Sequence, residues 1–188
     1  MARKLMMSTA HIQHWRGTEW ASFQLEIPRA VSPSTFYTPE TTMEIRLTGP
    51  ADHGEWLSLW NRYCADQGVG LSTKVSETIW QRIEDPDDKT KALVAVDASG
   101  VTLAFLNYII HPYTWSDRML CFVVDLYVDH PWRRRGIAEA MIAHLAAEGR
   151  REGWLRLYWN TDRSNERARA LHDKIARLSP YLSYFLDL

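Results

Sequence analysis

From Met43 onward the spacing of apolar residues changes from segment to segment, and each spacing predicts an element. A short strand at Glu44 to Leu47 ends at the Gly49-Pro50 breaker. Trp56, Leu57, Trp60, Tyr63 and Cys64 then recur at helical spacing, and Ile79 and Ile83 mark a second helix that Pro86 closes. Leu93 to Val96, Val101 to Ile110 and Met119 to Val128 read as successive strands. The first two are joined across Asp97-Ala98-Ser99-Gly100 as a hairpin and are therefore antiparallel neighbours. A helix from about Arg134 to Arg150 carries Ile137, Met141, Ile142 and Leu145 on one face, and Gly153 ends the turn before a strand at Leu155 to Trp159. A last helix carries Ala168, Leu171, Ile175 and Leu178, and Pro180 separates it from a terminal strand around Tyr181 to Leu186. No internal repeat is visible.

Residues 1–42 break this order. Trp15, Trp20, Phe23, Phe36 and Tyr37 sit among Ser, Thr and Pro without a sustained period, so the segment reads as an N-terminal extension to a domain at 43–188. It is either an arm that packs on the domain or a partner, or a translated stretch upstream of a start at Met43. Its aromatics favour the arm, because solvated segments are poor in them.

Composition narrows the functions. A length of 188 residues suits one domain with a full core. A formal net charge of -1 gives no general attraction to nucleic acid or to an anionic membrane, so neither is an expected partner and any anion site must be local. Cys64 and Cys121 lie far apart without a C-x-x-C partner, which predicts neither a disulfide framework nor a metal site and fits a reducing cytoplasm. The apolar patch after Arg3 and Lys4 is too short for a signal peptide, and no later run is long enough to span a bilayer.

The strongest chemical signal is the strand-to-helix junction Leu126-Tyr127-Val128-Asp129-His130-Pro131-Trp132-Arg133-Arg134-Arg135-Gly136-Ile137-Ala138. A helix N-terminus has backbone N–H groups without intrahelical acceptors and carries partial positive charge, which suits a phosphate. Gly136 lets the backbone approach an anion, Ala138 keeps the next turn slim, and Arg133, Arg134 and Arg135 add charged donors. Basic helix starts with a glycine are also ordinary solvated caps, and it is the apolar strand just before this one that tips the reading toward a pyrophosphate. No G-x-x-x-x-G-K-[ST] segment is present to support a nucleotide-binding P-loop.

Arg133-x-x-Gly136-x-Ala138 resembles the cofactor loop of the GNAT superfamily of N-acetyltransferases. Asn165, Ala168, Leu171 and His172 are similar to that family's Asn-x-x-Ala-x-x-Leu-Tyr segment, with His172 where the family has Tyr. The run from Leu106 to Ala176 resembles a small bacterial and fungal branch near the polyamine and histone-type acetyltransferases. His111-Pro112-Tyr113-Thr114-Trp115 is similar to its His-containing loop, and Val124-Asp125-Leu126-Tyr127-Val128 to its strand with a fixed acid, although Val124 stands where the polyamine branch has Glu. The resemblance implies an α/β (α+β) GNAT fold: a mixed, mostly antiparallel sheet with helices on both faces and a V-shaped split between Val123–Val128 and Leu155–Trp159.

It also implies acetyl-CoA as cosubstrate, transfer of its acetyl group to a primary amine of a small molecule such as a polyamine or amino acid, and a homodimer. Pantetheine contacts would fall on the backbone of Leu126 and Val128, pyrophosphate contacts on Arg133, Arg134, Arg135, Gly136, Ile137 and Ala138, and a further contact on Asn165. Acetyl transfer requires a neutral amine, donors for the oxyanion and an acid for the thiolate. A backbone N–H near Val128 would serve as donor, His172 as acid, and Asp125 or His111 as base; each of these three side chains has an equally ordinary structural reading. Cys121 lies mid-strand without a visible base and reads as core, so direct attack by the amine suffices. Protein lysine or N-terminal acetylation and a non-catalytic acyl-CoA-binding module remain the alternatives.

Overall fold

A computed structural model describes residues 43–188; the extension expected at 1–42 lies outside the described residues. The chain forms β1 (Met43–Leu47), α1 (His53–Asp66), α2 (Thr73–Glu84), β2 (Thr90–Asp97), β3 (Thr102–Tyr113), β4 (Ser116–Val128), α3 (Ile137–Arg151), β5 (Arg156–Tyr158) and α4 (Glu166–Ile175). The five strands make one sheet in the order β1-β2-β3-β4-β5. Every pairing is antiparallel except β4 with β5, which is parallel because α3 carries the chain back across the sheet.

Helices cover both faces. On one, Trp56, Leu59, Trp60 and Cys64 of α1 and Trp80 and Ile83 of α2 pack on Val94, Val96, Phe105 and Tyr127. On the other, Ile137, Met141, Ile142 and Leu145 of α3 pack on Leu93, Leu103, Leu106, Cys121 and Val123. Ala92 to Val96 are all buried, since β2 lies inside the sheet between these layers, which is why β2 reads as an apolar run rather than an alternation. The β2–β3 turn is set by Asp97, whose Oδ1 accepts from the backbone of Ser99 and Val101, and by Gly100 at φ +88°. α3 presses so closely on the segment entering β5 that a Cβ at Gly149 would meet Trp154 at 2.8 Å and Leu157 of β5 at 3.2 Å.

Two expected elements change. The helix after β4 begins at Ile137 rather than about Arg134, because Arg134 (φ 65°) and Gly136 (φ 79°) are left-handed and cannot extend a right-handed helix. The terminal strand expected around Tyr181 to Leu186 is not formed: these residues have no regular structure and no strand of the sheet takes their backbone hydrogen bonds. α4 likewise stops at Ile175, leaving Leu178 exposed beyond it. None of the described helices is long and apolar enough to cross a membrane.

Candidate functional site

β4 pairs with β5 only at Leu120, Cys121 and Phe122, opposite Arg156, Leu157 and Tyr158, and then runs on to Val128 with β3 as its sole partner. The split expected between these strands is therefore present. Its phase follows from one bond: Asp129 N donates to Leu103 O at 3.0 Å, so Asp129 and Tyr127 turn their main-chain groups toward β3. Those of Leu126 and Val128 consequently face the unpaired side. The Val128 carbonyl is already taken, accepting from Arg133 Nε at 2.8 Å, which leaves its N–H. A bulge precedes this stretch, since Asn107 pairs with Asp125 but Tyr108 with Val123, making Val124 the extra residue.

Beyond Val128 the chain makes a 3-10 turn at His130–Trp132 and enters α3 through Gly136 as N-cap. The first α3 bond runs from Ala140 N to Gly136 O, so the N–H groups of Gly136, Ile137, Ala138 and Glu139 have no intrahelical acceptor. A left-handed non-glycine residue costs roughly 1–2 kcal/mol, so the conformation of Arg134 is imposed by its surroundings. The residues just before it are tied to the end of α1: Arg62 pairs with Asp129 at 2.6 Å, and Asp66 receives both His130 Nε2 at 2.9 Å and an Arg133 terminal nitrogen at 2.8 Å. Arg133 also lies over the Tyr127 ring at 5.1 Å, so its side chain braces the loop. Arg135 stacks on Trp132 at 4.8 Å, and both it and Arg134 are exposed. Asn165 caps α4, its Oδ1 accepting from Ala168 N at 3.0 Å, with its amide nitrogen left over.

This turn fits an anionic cofactor: among the described residues it has four unpaired donors at a helix N-terminus, two left-handed residues that open it, and no atom within 4 Å of a Cβ built on Gly136.

The three expected catalytic side chains are spread over separate clusters, and among the described residues no hydrogen bond joins any two of them. Asp125 points to the α1 face. Its Oδ2 accepts from Asn107 Nδ2 at 3.1 Å, while Asn107 Oδ1 accepts from Trp56 Nε1 at 3.1 Å, and the Tyr63 phenol is its other polar neighbour. Burial raises the Asp125 pKa, although Asn107 and Tyr63 favour the charged form. His111 lies near the end of β3 and touches Tyr158 of β5, with Nε2 2.9 Å from the phenol oxygen. His172, on α4, meets Trp159 edge to face at 5.3 Å; its buried Nδ1 has no hydrogen-bond partner among the described residues, and burial lowers its pKa. Cys121 is fully buried and its thiol is pushed up to about 12 by desolvation, so it is un-ionised core.

Sequence reasoning missed the α1 residues Arg62 and Asp66, which hold the loop from 67 positions away, and Asn107 and Trp56, which orient Asp125. Surface charges on a helix give no signal of such long-range partners. Asn107, a polar residue within an apolar strand, was a usable one. Tyr158 was also passed over.

A sequence model of the acetyltransferase (GNAT) family matches residues 56–176. The D-amino-acid N-acetyltransferase HPA3 of Saccharomyces cerevisiae is 29% identical over 133 residues, which cover 70% of this chain and 83% of the yeast protein. Among solved structures, the ribosomal-protein-alanine N-acetyltransferase of Brucella melitensis biovar Abortus 2308 superposes with a TM-score of 0.65 at 26% identity, over 78% of this chain and 100% of that one. Aminoglycoside N-acetyltransferase AAC(6')-Iy, solved with CoA, shares the fold with a TM-score of 0.68 at 18% identity, over 80% of this chain and 99% of its own. The chain belongs to the GNAT family of acetyltransferases, and it is an acetyl-CoA-dependent N-acetyltransferase.

Proposed function

We propose that this enzyme acetylates a primary amine of a small molecule, an amino acid or a similar compound, in the cleft between β4 and β5. The observation that carries this reading is the freed edge of β4 running directly into the donor-rich turn before α3. The N–H groups of Gly136, Ile137 and Ala138 would hold the pyrophosphate, with Arg134 and Arg135 adding charge and Arg133 keeping the turn in shape. Main-chain groups of Leu126 and Val128 and the Asn165 amide nitrogen would take the pantetheine arm, and the Val128 N–H would polarise the acetyl carbonyl. Acetyl-CoA supplies an acetyl group already activated as a thioester. Cys121, buried and un-ionised, forms no acyl intermediate, so the amine attacks directly. His172 is proposed to hydrogen-bond the departing sulfur, a role for which a buried ring nitrogen without a partner among the described residues is available.

The small-amine reading is supported by the names of the relatives, which include a D-amino-acid and an aminoglycoside N-acetyltransferase. The likeness to a ribosomal-protein-alanine enzyme favours a second reading, acetylation of a protein N-terminus. Thiol release from acetyl-CoA, measured against D- and L-amino acids, polyamines, aminoglycosides and a peptide beginning with alanine, separates them. Release that rises only with a small amine supports the first; release with the peptide alone supports the second. Binding of acetyl-CoA without release on any acceptor would leave a regulatory acyl-CoA-binding module.

The reading includes a homodimer in the cytoplasm. Tyr184, Phe185 and Leu186 are each more than 85% exposed beyond α4, apolar area that a second copy would cover. The free, buried thiols of Cys64 and Cys121 fit a reducing compartment.

A further inference from the structure

We propose that the C-terminal segment Tyr181 to Leu186 of one protomer adds as a strand to the free edge of β5 in its partner, and that this exchange completes the cleft between β4 and β5. The inference rests on the homodimer of the preceding reading and names its contact.

The segment is built as a strand and has no place in its own chain. Tyr-Leu-Ser-Tyr-Phe-Leu contains three aromatics, no glycine, no proline and no charge. In a strand, Tyr181 and Phe185 would fall on one face and Leu182, Tyr184 and Leu186 on the other, so both faces are apolar, as in a strand covered on both sides. Yet these five residues are 62–89% exposed. Among the described residues the segment's backbone is bonded only locally, Tyr181 N donating to Ser179 Oγ at 3.1 Å.

The edge that fits it lies in the same sheet. β5 is the last strand in the order, three residues long, and β4 is its sole partner among the described residues. Leu157 packs on the α3 core, so Tyr158 faces the other way, where it stacks on Phe122 of β4 at 4.9 Å. Tyr158 is 37% exposed, which leaves the next rung of this aromatic ladder open. An added strand carrying Tyr and Phe continues the ladder, and its main chain pairs with an edge otherwise left to water.

Area and symmetry favour a second copy. α4 reaches the end of β5 through His172 and Trp159, and still the segment that follows does not lie on β5 in its own chain. With Leu178 and Leu188 included, the tail exposes seven large apolar residues. At roughly 150–250 Å² for an aromatic and on the order of 100 Å² for a leucine, that is roughly 800 Å², what one partner of a stable interface buries. A two-fold exchange uses both tails and both edges at once, whereas a different protein would have to bring an edge and a tail of its own. β5 is one wall of the cleft and is tied to β4 at only three rungs. A strand on its other edge fixes that wall, so each copy completes the other's site.

The test measures the molar mass of the full chain by light scattering after gel filtration, beside Phe185→Asp, which places a charge in the added strand. Wild type is expected at twice the chain mass and the variant at the chain mass. The variant's kcat should fall about 10-fold or more, since misplacing a site by about 1 Å costs up to about 10²-fold. Ser183→Cys and Arg156→Cys, in separate co-expressed chains, should be joined by a short bis-maleimide into a two-chain species; Cys64 and Cys121 are buried and do not compete. With both substitutions in one chain, the product should again contain two chains. A monomeric wild type would overturn the dimer and the exchange together. A dimer that Phe185→Asp does not split, or a cross-link confined to one chain, would overturn the exchange and leave the dimer standing. Monomeric Phe185→Asp with wild-type kcat would overturn the partner's part in the cleft.

Discussion

Replacing Gly136 tests the cofactor turn with numbers set by the structure. The residue is the N-cap of α3 at φ 79°, and a Cβ there meets nothing within 4 Å. Gly136→Ala therefore costs only the left-handed conformation, roughly 1–2 kcal/mol, or about 2–8 °C in Tm at about 2–4 °C per kcal/mol for a chain of this size. Acetyl-CoA at about 100 times its Kd adds about 2.7 kcal/mol to the wild type, a rise of roughly 5–11 °C, and the Ala variant should keep most of it. Gly136→Asp differs in charge. A carboxylate about 4 Å from a phosphate charge is repelled by about 4 kcal/mol at an effective dielectric of about 20, more than the whole ligand gain. Differential scanning fluorimetry of the three proteins, with and without acetyl-CoA, should give a full shift, a nearly full shift and almost none. An Asp variant stabilised as much as wild type would refute the placement of the pyrophosphate at this turn.

His172→Phe should fold and bind acetyl-CoA but lose about 10²-fold in kcat; full activity in a stable variant would remove His172 from the reaction. The same substitution should change the pH dependence of stability. Burial lowers the His172 pKa, so the folded state binds fewer protons than the unfolded one and stability falls as pH drops below about 6.5, a slope the Phe variant should lack in urea melts. Asp125 has the opposite sign: its raised pKa means the fold loses stability as pH rises above about 3.9, and Asp125→Asn should flatten that limb in the same melts. Trp56→Phe leaves the buried Asn107 carbonyl without its donor and should cost about 1–3 kcal/mol by urea denaturation. A chain beginning at Met43 should fold and bind acetyl-CoA, as calorimetry can check, because all the described strands and the proposed cofactor turn lie at or after that point.

Much of this molecule follows from local rules. Trp56, Trp60 and Cys64 repeat at the period of a helix that buries one face, and Ile137, Met141 and Leu145 do so again, so the sequence located both layers. The turn at Asp97 to Gly100 and the glycine-containing junction at Arg133 to Ala138 are legible because backbone conformation there demands particular residues. Tertiary structure decided what depends on partners distant in sequence. It joined Arg133, a candidate phosphate ligand, to Asp66 of α1, and set Asn107 between Trp56 and Asp125. It also left Tyr181 to Leu186 without a strand, since apolar alternation specifies a strand only where a neighbour accepts its hydrogen bonds. His111 and Tyr158 stand 47 residues apart and meet only because β3, β4 and β5 lie side by side. Periodicity and turn chemistry are short-range properties written into neighbouring residues, whereas a hydrogen bond between two side chains exists only once the sheet has set the distance and direction between them.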